Sequence, residues 1–244
     1  MDNSTKLYLE LLKKTLTDTL RCSDEYTPYS GPKGVRFNLV EKYLTKRGFE
    51  IVKRIPFDIE RRKVGRDWPM YAETMVGVER LNNIEKLLSD VIENNIEGDC
   101  IETGVWRGGA TIFMAAILKA MGQTNRNVWV ADSFEGLPRP NAEKYPQDRG
   151  DVHYTKTRLA ISKEEVEKNF KNYGLLADNI HFLKGWFKDT LPAAPIEKLA
   201  LVRLDGDMYE STMDGLVNLY PKLQSGGYII IDDWGAVPAC KKAV

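Results

Sequence analysis

The chain predicts an α/β fold, a mainly parallel sheet flanked by helices and preceded by a helical extension. Three observations predict it. From Gly98 onward, strand-like and helix-like runs alternate with short connections, the pattern of a parallel sheet covered on both faces. Three apolar runs stop at acids: Val128-Trp-Val-Ala-Asp132, Val202-Arg-Leu-Asp205-Gly-Asp207 and Ile229-Ile-Ile-Asp232-Asp233. In an open α/β sheet such strand ends meet at one edge, where ligands bind. Before Gly98 the apolar residues instead recur at helical spacing.

Leu9, Leu12, Leu16 and Leu20 mark a first helix. Tyr26-Thr-Pro-Tyr-Ser-Gly-Pro-Lys-Gly34 is rich in turn formers and reads as a loop. Residues 37–47 are helical in pattern and Gly48 is placed to end them. The stretch from Arg54 to Pro69 mixes charge, proline and glycine and reads as an exposed or mobile connection. Residues 75–95 form a long helix, with Val78, Leu81, Ile84, Leu87, Leu88, Val91 and Ile92 on one face. A strand over Asp99–Glu102 follows, then a Gly-rich turn and a helix through Met121. Asn127–Ala131 is a second strand, and residues 133–150 are a long polar loop. Ser162 with Glu165 forms a capping box for a helix over 161–173. Strands at 180–184, 199–204 and 227–231 alternate with a turn or short helix at 186–191 and a helix at 211–223. The residues after Asp233 read as the start of another helix. The division expected is a helical extension and lid over 1–97 and a ligand-binding core over 98–244.

Lys+Arg and Asp+Glu number 35 each, so no basic excess points to nucleic acid or to an anionic membrane. No run approaches the ~20 apolar residues of a membrane span. No signal-peptide core opens the chain. Three separated cysteines and two histidines form no zinc spacing. The expected partner is a small molecule and the expected compartment the cytoplasm.

Glu102-Thr-Gly104-Val-Trp-Arg107-Gly-Gly109 follows the first core strand and opens a helix. It departs from the G-x-G-x-x-G dinucleotide fingerprint, and no P-loop Lys-Ser/Thr follows. A carboxylate at this strand end repels a pyrophosphate and attracts an ammonium group. Asp132, at the end of the next strand, is placed to accept ribose hydroxyls. Acid, glycines and second acid together suit S-adenosylmethionine, with its amino-acid part over Thr103-Gly104 and its ribose on Asp132. Trp186 ends the third strand, where an indole can stack on adenine. Either motif alone is better explained as a structural turn and a helix cap; in register together they favour the cofactor.

Asp205, Asp232 and Asp233 converge if their strands are neighbours. Carboxylates so close repel one another without a cation. An all-oxygen donor set favours Mg²⁺ or a similar hard ion. The alternative is helix capping, which suits one of these acids better than all. Alternation puts Asp205 and Asp207 on the same side, so spacing does not choose between them.

The motifs Glu102-Thr-Gly-Val-Trp-Arg-Gly-Gly109, Ala131-Asp-Ser-Phe-Glu-Gly-Leu-Pro138, Leu204-Asp-Gly-Asp-Met-Tyr-Glu-Ser-Thr212 and Gly226-Gly-Tyr-Ile-Ile-Ile-Asp-Asp233 together resemble the macrocin O-methyltransferase family. The resemblance implies a class I, Rossmann-like methyltransferase using S-adenosylmethionine and Mg²⁺. It implies a metal on Asp205, Asp232 and Asp233, and favours Asp205 over Asp207 as the base. Thr74 and Met75 resemble the family segment lining the cofactor, joined by Glu102, Thr103, Gly104, Arg107, Asp132, Ser133 and Trp186. The acceptor implied is a hydroxyl of a sugar or other natural product, chosen by the loops at 26–34, 54–70 and 134–154. Family members continue past Val244, so the resemblance implies a core truncated at its C-terminus. Its sheet edge would be completed by another segment, by a homo-oligomer or by a larger parent protein.

Two other readings use the same sheet. An NAD-type oxidoreductase or epimerase needs the full glycine fingerprint and a catalytic pair; Tyr154 and Lys156 stand two apart in a polar loop. A truncated or non-catalytic S-adenosylmethionine-binding module of a larger biosynthetic protein needs the cofactor turn without turnover.

Overall fold

The computed structural model describes residues 1–32 and 34–244. Its centre is a five-stranded parallel sheet built from β3 (Asp99–Thr103), β4 (Val128–Asp132), β5 (Ile180–Lys184), β6 (Leu199–Leu204) and β7 (Leu223–Ile231), in the order β5-β4-β3-β6-β7. The strands lie in this order because each is joined to the next by a helical crossover, and the chain reverses direction across the sheet between β3 and β6. That reversal opens a crevice at the carboxyl ends of these two strands. All six residues of β6 are buried, as expected of a strand covered on both faces.

One face carries α1 (Asn3–Leu16), α4 (Gly77–Glu93), α5 (Gly109–Ala120) and α6 (Lys163–Asn172). Leu9, Leu12 and Leu16 of α1 and Leu81, Ile84, Leu88 and Val91 of α4 share one apolar cluster with Phe113, Ile117 and Val130. The helical extension expected over 1–97 thus shares its core with the sheet through α1 and α4. α5 is buried along nearly its whole length, which explains its unbroken apolar sequence. The opposite face packs Ile101, Trp129, Val202 and Leu204 against α8 (Tyr209–Leu219) and the short α7 (Phe187–Thr190). α9 (Pro238–Ala243) follows β7. Ser162 caps α6, its hydroxyl accepting from Glu165 N–H at 3.2 Å.

Two expectations need correction in the N-terminal part. The loop read over 26–34 begins with a strand, β1 (Glu25–Pro28), and the connection read from Arg54 holds part of β2 (Val52–Ile55) and the short helix α3 (Ile59–Lys63); Lys33 lies outside the described residues. β1 and β2 pair antiparallel, Glu25 opposite Ile55. Nor is the connection wholly exposed. Arg62 is 0% exposed and holds three segments together: its Nη2 meets Glu25 at 2.7 Å, its Nε meets Asp67 at 2.6 Å, and its Nη1 donates to Thr17 C=O at 2.8 Å. A buried guanidinium with every fork engaged is how a charge is tolerated inside. α2 (Val35–Thr45) completes this part and buries none of its residues. β7 starts four residues earlier than the apolar run suggests, across a register irregularity beside β6. Among the described residues no helix is long and apolar enough to cross a membrane.

Candidate active site

The crevice between β3 and β6 is where the chain's unusual chemistry collects. β3 ends at Thr103 and turns through Gly104, whose φ of +81° is left-handed. The turn lies against the backbone after β6: a Cβ at Gly104 would fall 1.6 Å from the carbonyl oxygen of Asp205. Only glycine satisfies both the dihedral and the approach. Gly104→Ala is therefore expected to cost about 3 kcal/mol or more from clash and strain combined. Chemical denaturation checks this, and an alanine variant as stable as the parent would refute the close contact.

Asp132, ending β4, accepts Val105 N–H at 2.8 Å on one oxygen and Phe134 N–H at 2.7 Å on the other. Its carboxyl still sits above the ordinary range, chiefly because it is buried. Trp106, Phe134 and Asp207 have φ of 49°, 58° and 57°. Non-glycine residues seldom hold this conformation, and two of these, Trp106 and Asp207, line one cleft.

That cleft is lined by Met75, Gly104, Asp132, Ser133 and Trp186, five of the positions expected around a cofactor. The other four do not border it. Thr103 is 1% exposed inside the sheet end. Thr74 turns its hydroxyl to Val76 N–H at 3.2 Å. Arg107 donates to the carbonyls of Met70 and Ala72, both at 2.8 Å, and stacks on Trp106. Glu102 departs furthest from the sequence reading. Its side chain does not border the cleft; it is 1% exposed, accepts from Thr111 Oγ1 and pairs with Arg203. Burial raises its carboxyl above the usual range. Lys156, weighed as half of an oxidoreductase pair, lies over Trp68 instead.

Arg203 was not singled out by sequence reasoning, although a lone charge inside Leu199-Ala-Leu-Val-Arg-Leu204 signals a buried ion pair. It stands opposite Glu102 in the β3–β6 register. From there its fork reaches Glu102, Asp205 at 2.8 Å and Asp232. Burial works against its charge, yet Asp232, Asp205 and Glu102 hold its pKa well above the ordinary value. Arg80 of α4, also missed, pairs with Asp232 from the other side.

β6 and β7 are neighbours, with Leu204 beside Ile231, so the acids that follow them meet. One oxygen from each of Asp205, Asp232 and Asp233 lies within 4.8 Å of the others. Asp207, one residue beyond the turn, gives its backbone N–H to Asp233 at 3.0 Å and lines the cleft. Burial and then Asp232 push Asp205 well above the carboxylate range. Burial and Asp205 push Asp207 up to about 6, and burial and Asp207 push Asp233 up to about 7. Five carboxylates face two guanidinium groups here, so negative charge is in surplus. An oxygen-only set with surplus charge fits a hard divalent cation.

Comparison with known proteins identifies relatives of this chain. The sequence profile of the macrocin-O-methyltransferase (TylF) family matches residues 5–244. The chain is 48% identical over 244 residues to a demethyldecarbamoylnovobiocin O-methyltransferase of Streptomyces niveus, covering 100% of this chain and 86% of that one. It is 46% identical over 244 residues to an 8-demethyl-8-(2,3-dimethoxy-alpha-L-rhamnosyl)-tetracenomycin-C 4'-O-methyltransferase of Streptomyces olivaceus, covering 100% and 85%. The solved O-methyltransferase NovP superposes with a TM-score of 0.83 at 45% identity, over 98% of this chain and 88% of that one.

Proposed function

The chain belongs to the macrocin-O-methyltransferase (TylF) family, and from that premise we propose that it transfers a methyl group from S-adenosylmethionine to a hydroxyl of a glycosylated natural product, with a divalent cation on Asp205, Asp232 and Asp233. The observation that carries the reading is one continuous cleft bordered at one place by Gly104, Asp132 and Trp186 and at another by Asp205. S-adenosylmethionine would supply an electrophilic methyl group, and the cation would supply positive charge that acidifies a hydroxyl held beside it.

The protein's own residues do the rest. The Gly104 turn borders the cleft and leaves its backbone open to an amino-acid moiety. Asp132 is fixed by two backbone N–H groups and retains lone pairs for ribose hydroxyls. Trp186 presents an indole to a flat base. Asp205, which borders the cleft, receives the proton of the accepting hydroxyl. Arg203 fixes the orientation of Asp205 and spreads the field of the acids.

Methyl transfer to glycosylated acceptors, followed by mass spectrometry with and without Mg²⁺, tests the assignment. EDTA is expected to abolish product formation and added Mg²⁺ to restore it; turnover that ignores EDTA would remove the cation from the reading. S-adenosylmethionine at a hundredfold excess over its Kd is expected to stabilise the fold by about 2.7 kcal/mol, a rise in Tm of roughly 5–10 °C. An unchanged melt would remove the cofactor.

A further inference from the structure

The long polar segment between Phe134 and Ser162 forms one wall of the cleft, through Leu137, Arg139, Asn141 and Leu159. The facing wall includes Glu210 and Asp214 of α8. From residue 135 to residue 165 a single residue is buried, and it is an acid: Asp148, 1% exposed. Its two oxygens accept Tyr209 N–H at 2.7 Å and Glu210 N–H at 3.0 Å, the first two amides of α8. Met208, in the N-cap position of α8, provides no side-chain cap of its own. The cap comes instead from a residue 61 positions away in sequence. The near end of the segment is held by Ser133, whose hydroxyl donates to Gly136 C=O at 2.6 Å. The far end is held by Trp106 Nε1, donating to Arg158 C=O at 2.9 Å, with the Arg158 guanidinium 3.8 Å from the Trp68 ring centre. Asp148 stands between these attachments, and Tyr145, three residues before it, meets the ring of Tyr209 at 6.1 Å.

Resting on the cofactor reading above, we propose that Asp148 is a positioning residue: it pins the 136–159 wall to the start of α8 and so holds both walls of the cleft at the spacing the cofactor needs. A carboxylate accepting two amides at a helix N-terminus is a charge-assisted contact, reinforced by the helix dipole. The segment has little else to hold it, since its other residues are exposed or only half-buried. Losing the pin costs α8 its cap and the loop its central anchor at once. Capping Asp207 or Asp205 does not replace it, because Asp207 has φ +57° and Asp205 turns to Arg203.

The test compares the parent protein with Asp148→Ala and Asp148→Asn, using S-adenosylhomocysteine as ligand and trypsin as a probe of the loop, where Lys144 and Arg149 are exposed cleavage sites. Asp148→Ala is expected to raise the Kd for S-adenosylhomocysteine and the cleavage rate at Lys144 and Arg149 about tenfold each, the scale of one lost cap. Asp148→Asn keeps one acceptor oxygen and is expected to fall between alanine and the parent. Parent-like affinity and cleavage in the alanine variant would overturn the proposal. So would an alanine variant cleaved throughout its core, paired with an asparagine variant that behaves as the parent, because Asp148 would then serve only the fold. If the parent protein itself fails to bind S-adenosylhomocysteine, the cofactor reading falls; the cleavage comparison needs no ligand and still decides whether Asp148 pins the loop.

Discussion

Asp205→Asn is expected to lower kcat by about 10²–10⁴-fold, the range spanned by loss of a general base, while S-adenosylmethionine still binds. The separation of the two effects follows from where Asp205 sits. It ends β6 and borders the cleft, whereas the residues proposed to hold the cofactor end β3, β4 and β5. The substitution preserves shape. The side-chain carbonyl of asparagine can still accept from Arg203 Nη1, as Asp205 Oδ2 does at 2.8 Å, so neither the strand end nor the Gly104 contact with the Asp205 backbone is disturbed. What goes is the charge, and with it the capacity to take a proton and one of three oxygens gathered within 4.8 Å. Calorimetry with the cofactor and a single-turnover assay read the two effects separately. An asparagine variant within tenfold of the parent's turnover would mean another group takes the proton. Asp207 would then be the first to replace, since it also lines the cleft.

The sheet was legible because buried parallel strands are written as apolar runs, and acids at their ends stand out against them. Asp132, Asp205, Asp232 and Asp233 are all found at the strand ends expected. The β1–β2 pair was not legible. Val52-Lys-Arg-Ile55 is exposed throughout and shows no alternation of buried and exposed positions. Its stability comes from pairing and from Arg62, neither of which leaves a periodic trace. The surroundings of Glu102 were not legible for a topological reason. Its position suggests a ligand only while its neighbour is unknown. Once β6 lies beside β3, Arg203 falls directly opposite and claims it. The same holds for Arg80 and Asp232, which are 152 residues apart and meet only through the packing of α4 against the end of β7. Individual acids could be read locally; their cationic partners depended on strand order.

Arg203→Met is expected to be the most damaging change to stability, about 3–5 kcal/mol, lowering Tm by roughly 10 °C or more. Methionine matches the length of the stem, so the loss is electrostatic rather than a cavity. Arg203 is 1% exposed and is the cation shared by Glu102, Asp205 and Asp232. Removing it leaves those carboxylates buried beside Asp233 with Arg80 as the remaining guanidinium. The sign of the pH dependence follows. Glu102 and Asp205 already titrate above their unfolded values, mainly through burial, and Arg203 is the group that restrains both. Without it their folded pKa values rise further. The folded state then holds protons that the unfolded chain has released, so stability falls as pH rises through that window. The window opens above the ordinary carboxylate value of about 4 and runs upward through the raised values of Glu102 and Asp205. The deficit of the methionine variant against the parent is therefore expected to be smallest near the bottom of the window and to widen toward neutrality. Thermal melts of both proteins in EDTA across this range provide the check. A deficit that stays constant with pH would show that Arg203 acts through packing, and no deficit would show that the acids do not need it. Added Mg²⁺ gives the complementary reading. If Asp205, Asp232 and Asp233 hold the cation, it supplies part of the charge that Arg203 contributed, and the methionine variant should gain more Tm from Mg²⁺ than the parent does.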